Sequence, residues 1–120
     1  MALEKKIYPL GATIFKEGEP GEHAYLIKSG EVKITKQSKD DSPRTIATLK
    51  SGNIIGEMAL IDDHPRAATA ITLDQTEVLV ITKEDFLQRL QTSDQVISLL
   101  LQTFTQRLRQ QAETIIKLTP

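Results

Sequence analysis

Hydrophobic and polar positions alternate over short distances through most of the chain and over longer ones towards its end. Ile7–Leu10 and Thr13–Phe15 are brief apolar runs divided by Gly11, and Lys16-Glu17-Gly18-Glu19-Pro20-Gly21 is dense in turn formers. Ala24–Ile27 reads as a compact strand stopped at Ser29-Gly30. Glu31–Lys36 alternates polar and apolar with period two, the pattern of a strand with one face in water. Gln37–Pro43 is a polar hairpin loop, Arg44–Leu49 resumes a strand around Ile46 and Leu49, and Lys50–Asn53 turns again. Ala68–Leu73 and Glu77–Thr82 are further β-like runs on either side of Asp74-Gln75. No helix-length segment separates these runs, so the pattern predicts an antiparallel sandwich or roll rather than βαβ units.

From Thr82 the period changes. Thr82 is a candidate N-cap with Asp85 three residues on, and Phe86, Leu87 and Leu90 fall on one helical face. Ser93 is a second N-cap candidate, which places a break near Gln91–Thr92 and starts a second helix that runs to Leu118 without Gly or Pro. The order is β first and α last, an α+β chain. Within the second helix Ile97, Leu101, Phe104, Leu108, Gln111, Ile115 and Leu118 recur at alternating steps of four and three, a heptad seam in which only Gln111 is polar. The seam can pack on the chain's own β part. A helix of this length outruns a small roll, however, so its distal half is expected to meet a second copy, with Gln111 fixing the register.

Composition narrows the function more than the fold. A chain of 120 residues is one domain with one core. The net charge of −1 gives no global field for nucleic acid or an anionic membrane, so an anion would have to be held locally, by one or two arginines. The absence of cysteine excludes disulfides, thiolate zinc sites and thiol catalysis. His23 and His64 alone make a poor metal site, so a metal-dependent enzyme is not expected and no cofactor is. The first residues lack a signal-peptide core, and no window is apolar enough to span a bilayer, which makes the cytoplasm the expected location.

The chemistry concentrates in residues 54–72, IIGEMALIDDHPRAATAIT. Gly56 permits a close backbone approach, and Glu57–Leu60 can form a short helical turn whose N–H groups face an anion. Arg66 follows across the turn Asp62-Asp63-His64-Pro65, and Ala59, Ala67 and Ala68 leave room for a ligand against the backbone. A carboxylate and a guanidinium at the two ends of one loop suit a ligand with a hydroxyl at one edge and a phosphate at the other. The same two residues can also be read as an ion pair stapling the loop. No nucleophile has a base beside it in a known motif, so no catalytic residue is assigned.

GEMAL, five intervening residues and RAATA resemble the phosphate-binding cassette of cyclic-nucleotide-binding domains, as found in the catabolite activator protein and protein kinase A regulatory regions. A second family motif is similar as well: Ile14-Phe15, Gly18-Glu19, Gly21, the run Ala24–Ile27, and Gly30. The resemblance implies an eight-stranded antiparallel β-roll of double-stranded jelly-roll type over residues 1–82, with the cassette at 54–68. A hinge helix at 83–91 and a long C-terminal helix at 93–118 would follow. It implies that Glu57 accepts the ribose 2′-hydroxyl and that Arg66 pairs with the exocyclic oxygens of the cyclic phosphate. The N–H groups of Ala59 and Ala67 would complete the cradle, Gly56, Met58 and Ala68 would line it, and Ile46 would lie against the base.

Ala67 bears on the base. Family members selective for cyclic GMP often carry a hydroxyl there, so Ala67 favours cyclic AMP. Gln111 stands about where family dimers touch the adenine amino group, a role compatible with fixing register. Only Met1–Glu4 could supply the helical segment that usually precedes the first strand. No helix-turn-helix follows Leu118, so the chain by itself is not expected to read DNA. The partners expected are a cyclic nucleotide, a second copy through the 93–118 helix and an unidentified effector protein. Two rival readings are a degenerate roll that acts only in protein–protein docking and a piece of a larger sensor.

Overall fold

The computed structural model describes residues 3–60 and 64–91, and then Val96, Leu99, Leu100, Thr103, Phe104, Gln106, Arg107 and Gln110, all in helical conformation. Its strands are β1 (Glu4–Tyr8), β2 (Thr13–Phe15), β3 (His23–Ser29), β4 (Glu31–Gln37), β5 (Pro43–Lys50), β6 (Ile54–Ile55), β7 (Thr69–Thr72) and β8 (Thr76–Thr82). A 3₁₀ turn at Glu57–Leu60 follows β6, and helix α1 (Lys83–Gln91) follows β8.

The strands form two four-stranded sheets, ordered β1-β8-β3-β6 and β2-β7-β4-β5, with antiparallel pairing throughout. That interleaved order is a jelly roll, in which each sheet takes strands from both ends of the chain. In β8, period-two patterning sends one row of side chains inward. Thr76, Val78 and Val80 of β8 are buried and alternate with half-exposed Glu77 and Leu79. Tyr25, Ile27, Val78 and Val80 of one sheet close on Phe15, Val32 and Ala70 of the other, and these side chains form the core.

Buried Thr72 is satisfied within the roll. The Thr72 hydroxyl donates to the Pro9 carbonyl at 2.7 Å and accepts the Ala12 N–H at 2.8 Å, which closes the β1–β2 turn. Gly30, at φ +100°, lets the β3–β4 turn pass Thr76, where a Cβ would overlap the threonine hydroxyl.

The structure moves several boundaries. Glu4 belongs to β1, paired with Val80, so it is not available to a leading helix. The charged run Glu4–Lys6 lies exposed on an edge strand, and such charges keep an edge from pairing with another chain. Strand β6 was not expected. It has two residues, too few to show a period, and is held by pairing with Tyr25 and Leu26. In α1 the Thr82 hydroxyl accepts the Asp85 N–H at 3.1 Å, as an N-cap does. Phe86 is half-buried, whereas Leu87, expected on the same face, is 38% exposed. Ser93, the Asp62-Asp63 turn, the Leu90 side chain and the seam positions Ile97, Leu101, Leu108, Gln111, Ile115 and Leu118 lie outside the described residues.

Candidate functional site

Beside the segment after β6 lies an open cleft of about 140 Å³. Gly56, Glu57, Met58 and Ala59 line it, together with Arg66, Ala67 and Ala68. The sequence-predicted residues of the cassette therefore come together around one space. Ile46 is not among the lining residues. It is the extra residue of a bulge where β5 shifts register against β4, since Ile34 pairs with Ala47 and Thr35 with Thr45. Leu49 of β5 and Ile34 of β4 form the apolar wall instead. Gln111 lies outside the described residues.

Arg66 is the centre of the site's electrostatics. Its side chain is buried, with the residue 7% exposed. Nη2 donates to the His23 carbonyl at 2.9 Å and Nη1 to the Gly56 carbonyl at 3.4 Å. The guanidinium lies over the Phe15 ring, 4.3 Å from its centroid, where the negative face of the ring meets the cation. Phe15 in turn stacks on Tyr25, with ring centroids 6.1 Å apart. Burial pushes the Tyr25 phenol above its ordinary pKa, and nearby Tyr8 adds to the rise while Arg66 opposes it.

The backbone around Arg66 is clamped by the loop between β2 and β3. The Arg66 N–H donates to the Glu19 carbonyl at 2.7 Å, and the Gly18 N–H donates to the Arg66 carbonyl at 2.8 Å. A Cβ at Gly21 would overlap the guanidinium. The glycine-rich loop thus seats the arginine. The sequence had picked out Phe15, Gly18 and Gly21 as a motif without giving them a task.

Beside the guanidinium, Gly56 adopts φ +73°, which side-chain-bearing residues rarely do, and precedes the 3₁₀ turn. The Ala59 N–H donates back to the Gly56 carbonyl at 3.2 Å. Glu57 opens the turn half-buried at the cleft, while Ala59 and Leu60 are buried beneath it. The turn packs on β3 and on α1, and the Lys83 N–H at the start of α1 donates to the Glu22 carbonyl at 2.8 Å. Sequence reasoning also passed over His64, an exposed residue at the cleft, and Ile54 and Ile55 of β6. Ile54–Ile55 carried no signal beyond two adjacent isoleucines.

Taken together, the cleft is lined by a buried cation, a glutamate, small residues and apolar side chains. Among known proteins, the family model described as the cyclic nucleotide-binding domain matches residues 5–93. The cyclic AMP receptor protein of Thermus thermophilus is 34% identical over 108 residues, covering 90% of this chain and 50% of that protein. A cAMP-dependent protein kinase regulatory subunit of Pyricularia oryzae is 39% identical over 89 residues, covering 74% of this chain and 22% of that protein. Among solved structures, the cAMP bound form of EAL enzyme Bd1971 superimposes with a TM-score of 0.85 at 34% identity, over 92% of this chain and 29% of that one. The cGMP bound form of the same enzyme gives 0.80 at 36% identity, over 88% and 28%. The chain therefore spans half or less of the length of these relatives. Over its roll, its cassette and α1, it belongs to the cyclic nucleotide-binding domain family.

Proposed function

We propose that the chain is a regulatory module that takes cyclic AMP into the cleft and passes binding on as a movement of its C-terminal helical part. The observation that carries this reading is the Arg66 guanidinium, buried at the wall of the cleft that Glu57 also lines. Its planar fork suits the exocyclic oxygens of a cyclic phosphate. Glu57 accepts the ribose 2′-hydroxyl and the N–H group of Ala67 completes the cradle, joined by that of Ala59 once it exchanges the Gly56 carbonyl for the phosphate. Gly56, Met58 and Ala68 line it, and Leu49 and Ile34, which border the cleft, receive the base. Ala67 offers no hydroxyl to a guanine amino group, which favours cyclic AMP over cyclic GMP. The names of the Thermus receptor and the kinase regulatory subunit point the same way.

Contact between the 3₁₀ turn and α1 supports the coupling. A ligand that draws Glu57–Leu60 towards the phosphate shifts the surface on which α1 rests, and it does work on α1 only to the extent that it binds one arrangement better. The segment 93–118 then pairs with a second copy, with Gln111 at the seam or against the adenine. The module does no chemistry of its own, acts in the cytoplasm, and hands its signal to an effector protein. Among the described residues no helix is long and apolar enough to cross a membrane.

Thermal unfolding with cyclic AMP, cyclic GMP and linear 5′-AMP tests the reading. Cyclic AMP should raise the Tm in proportion to the logarithm of its concentration above Kd. Cyclic GMP should need a higher concentration, and linear 5′-AMP should have little effect. A Tm unmoved by millimolar cyclic AMP, or moved equally by linear 5′-AMP, overturns it.

A further inference from the structure

Lys36 lies near the end of β4, and none of the nucleotide contacts above employs it. Its Nζ donates to the Ala67 carbonyl at 2.7 Å and stands 3.6 Å from the Glu17 carboxylate, with its side chain 15% exposed. The Glu17 carboxylate also accepts the Gln37 N–H at 2.9 Å, while the Glu17 N–H donates to the Thr69 hydroxyl at 2.9 Å. Lys36 therefore joins β4, the loop after β2 and the end of the cassette. Of its two polar contacts, the one with Glu17 is long and partly exposed, a kind that contributes little. The bond to Ala67 is short and charge-assisted.

A residue's conformation is set by the two rigid peptide planes that flank it. Before Ala67, the plane shared with Arg66 is anchored by Gly18, whose N–H holds the Arg66 carbonyl at 2.8 Å. After Ala67, the plane shared with Ala68 is anchored by Lys36. Both alanines border the cleft, directly after the arginine. We infer that Lys36 is a positioning residue for the anion cradle: by holding the Ala67 carbonyl it keeps the backbone after Arg66 in the arrangement that receives a phosphate. Without it, that backbone has to be ordered at the moment of binding, and the affinity falls by the cost of ordering. The inference rests on the cyclic-nucleotide reading above and adds to it a side chain that does not touch the ligand.

The test is titration calorimetry with cyclic AMP and with its Sp and Rp phosphorothioates, each of which replaces one exocyclic phosphate oxygen by sulfur. Lys36→Met should weaken cyclic AMP binding about tenfold, the scale of one charge-assisted hydrogen bond. It should also change the Sp-to-Rp affinity ratio by at least threefold, because the cradle's hold on one oxygen is loosened. Lys36→Arg, which keeps the charge and the donors, should return both values to within threefold of wild type. Val78→Ala, in the core and outside the cleft lining, should lower the Tm and leave the ratio alone. Lys36→Gln is read by the same ratio if Lys36→Met gives no cooperative melt. Wild-type affinity and ratio in the lysine variants overturn the inference. A wild-type chain that binds no cyclic nucleotide instead removes the reading beneath it.

Discussion

Arg66 brings a charge into the roll, and burying a charge carries a cost of several kcal/mol unless its donors are met. The carbonyls of His23 and Gly56 take Nη2 and Nη1, and the face of Phe15 meets the cation. Gly56 serves this arrangement twice, through its positive φ and through its lack of a side chain. A Cβ there would stand 2.7 Å from the Arg66 Nη1 and 3.2 Å from the Phe15 ring. Gly56→Ala should therefore lose about 1–2 kcal/mol of stability from the backbone alone, read by urea unfolding. It should also weaken nucleotide binding about tenfold or more, and an unchanged urea midpoint would contradict the account. Tyr25 gives a pH dependence. Its folded pKa lies above the unfolded value, chiefly through burial, so the folded state binds more protons in the alkaline range. Its contribution is fully present below about pH 10 and is lost as pH rises through the folded value. The urea midpoint should fall more between pH 9 and pH 11 in wild type than in Tyr25→Phe. Equal falls would refute the assignment.

Among the elements, α1 is too short to be stable on its own and depends on its cap and its contacts with β8 and the 3₁₀ turn. Thr82→Ala should cost about 1 kcal/mol by removing the acceptor for the Asp85 N–H. Chemical denaturation should show this as a lower midpoint at constant m, and a loss under a few tenths would deny the cap its role. The elements also show what was legible in the sequence. Strands with clear alternation, such as β4 and β8, and the change of period at Thr82 could be read directly. The charged edge strand β1 and the two-residue β6 could not, because tertiary pairing makes them strands and neither carries an apolar period. The cassette residues were legible through their order along the chain. That Leu49 borders the cleft was not, because the β5 bulge is a property of the pairing and no residue type announces it. Nor was Lys36 legible, since its partner is a backbone carbonyl distant in sequence.

For the whole molecule, the interleaved jelly roll puts the glycine-rich loop, the cassette and the start of α1 at one end of a single core. An event at the cleft is thereby close to the helical end that continues the chain. The proposed pairing of the 93–118 segment predicts a dimer whose dissociation constant changes with cyclic AMP. Sedimentation equilibrium that shows a monomer at every concentration, with and without ligand, would remove that part. The central claim is that a cyclic phosphate is held by Arg66, and titration calorimetry of cyclic AMP into wild type and Arg66→Ala addresses it most directly. Loss of a desolvated charge contact of roughly 3–5 kcal/mol predicts an affinity lower by about two to three and a half decades in the variant. The variant should keep a cooperative melt. Binding by Arg66→Ala within threefold of wild type would contradict the account.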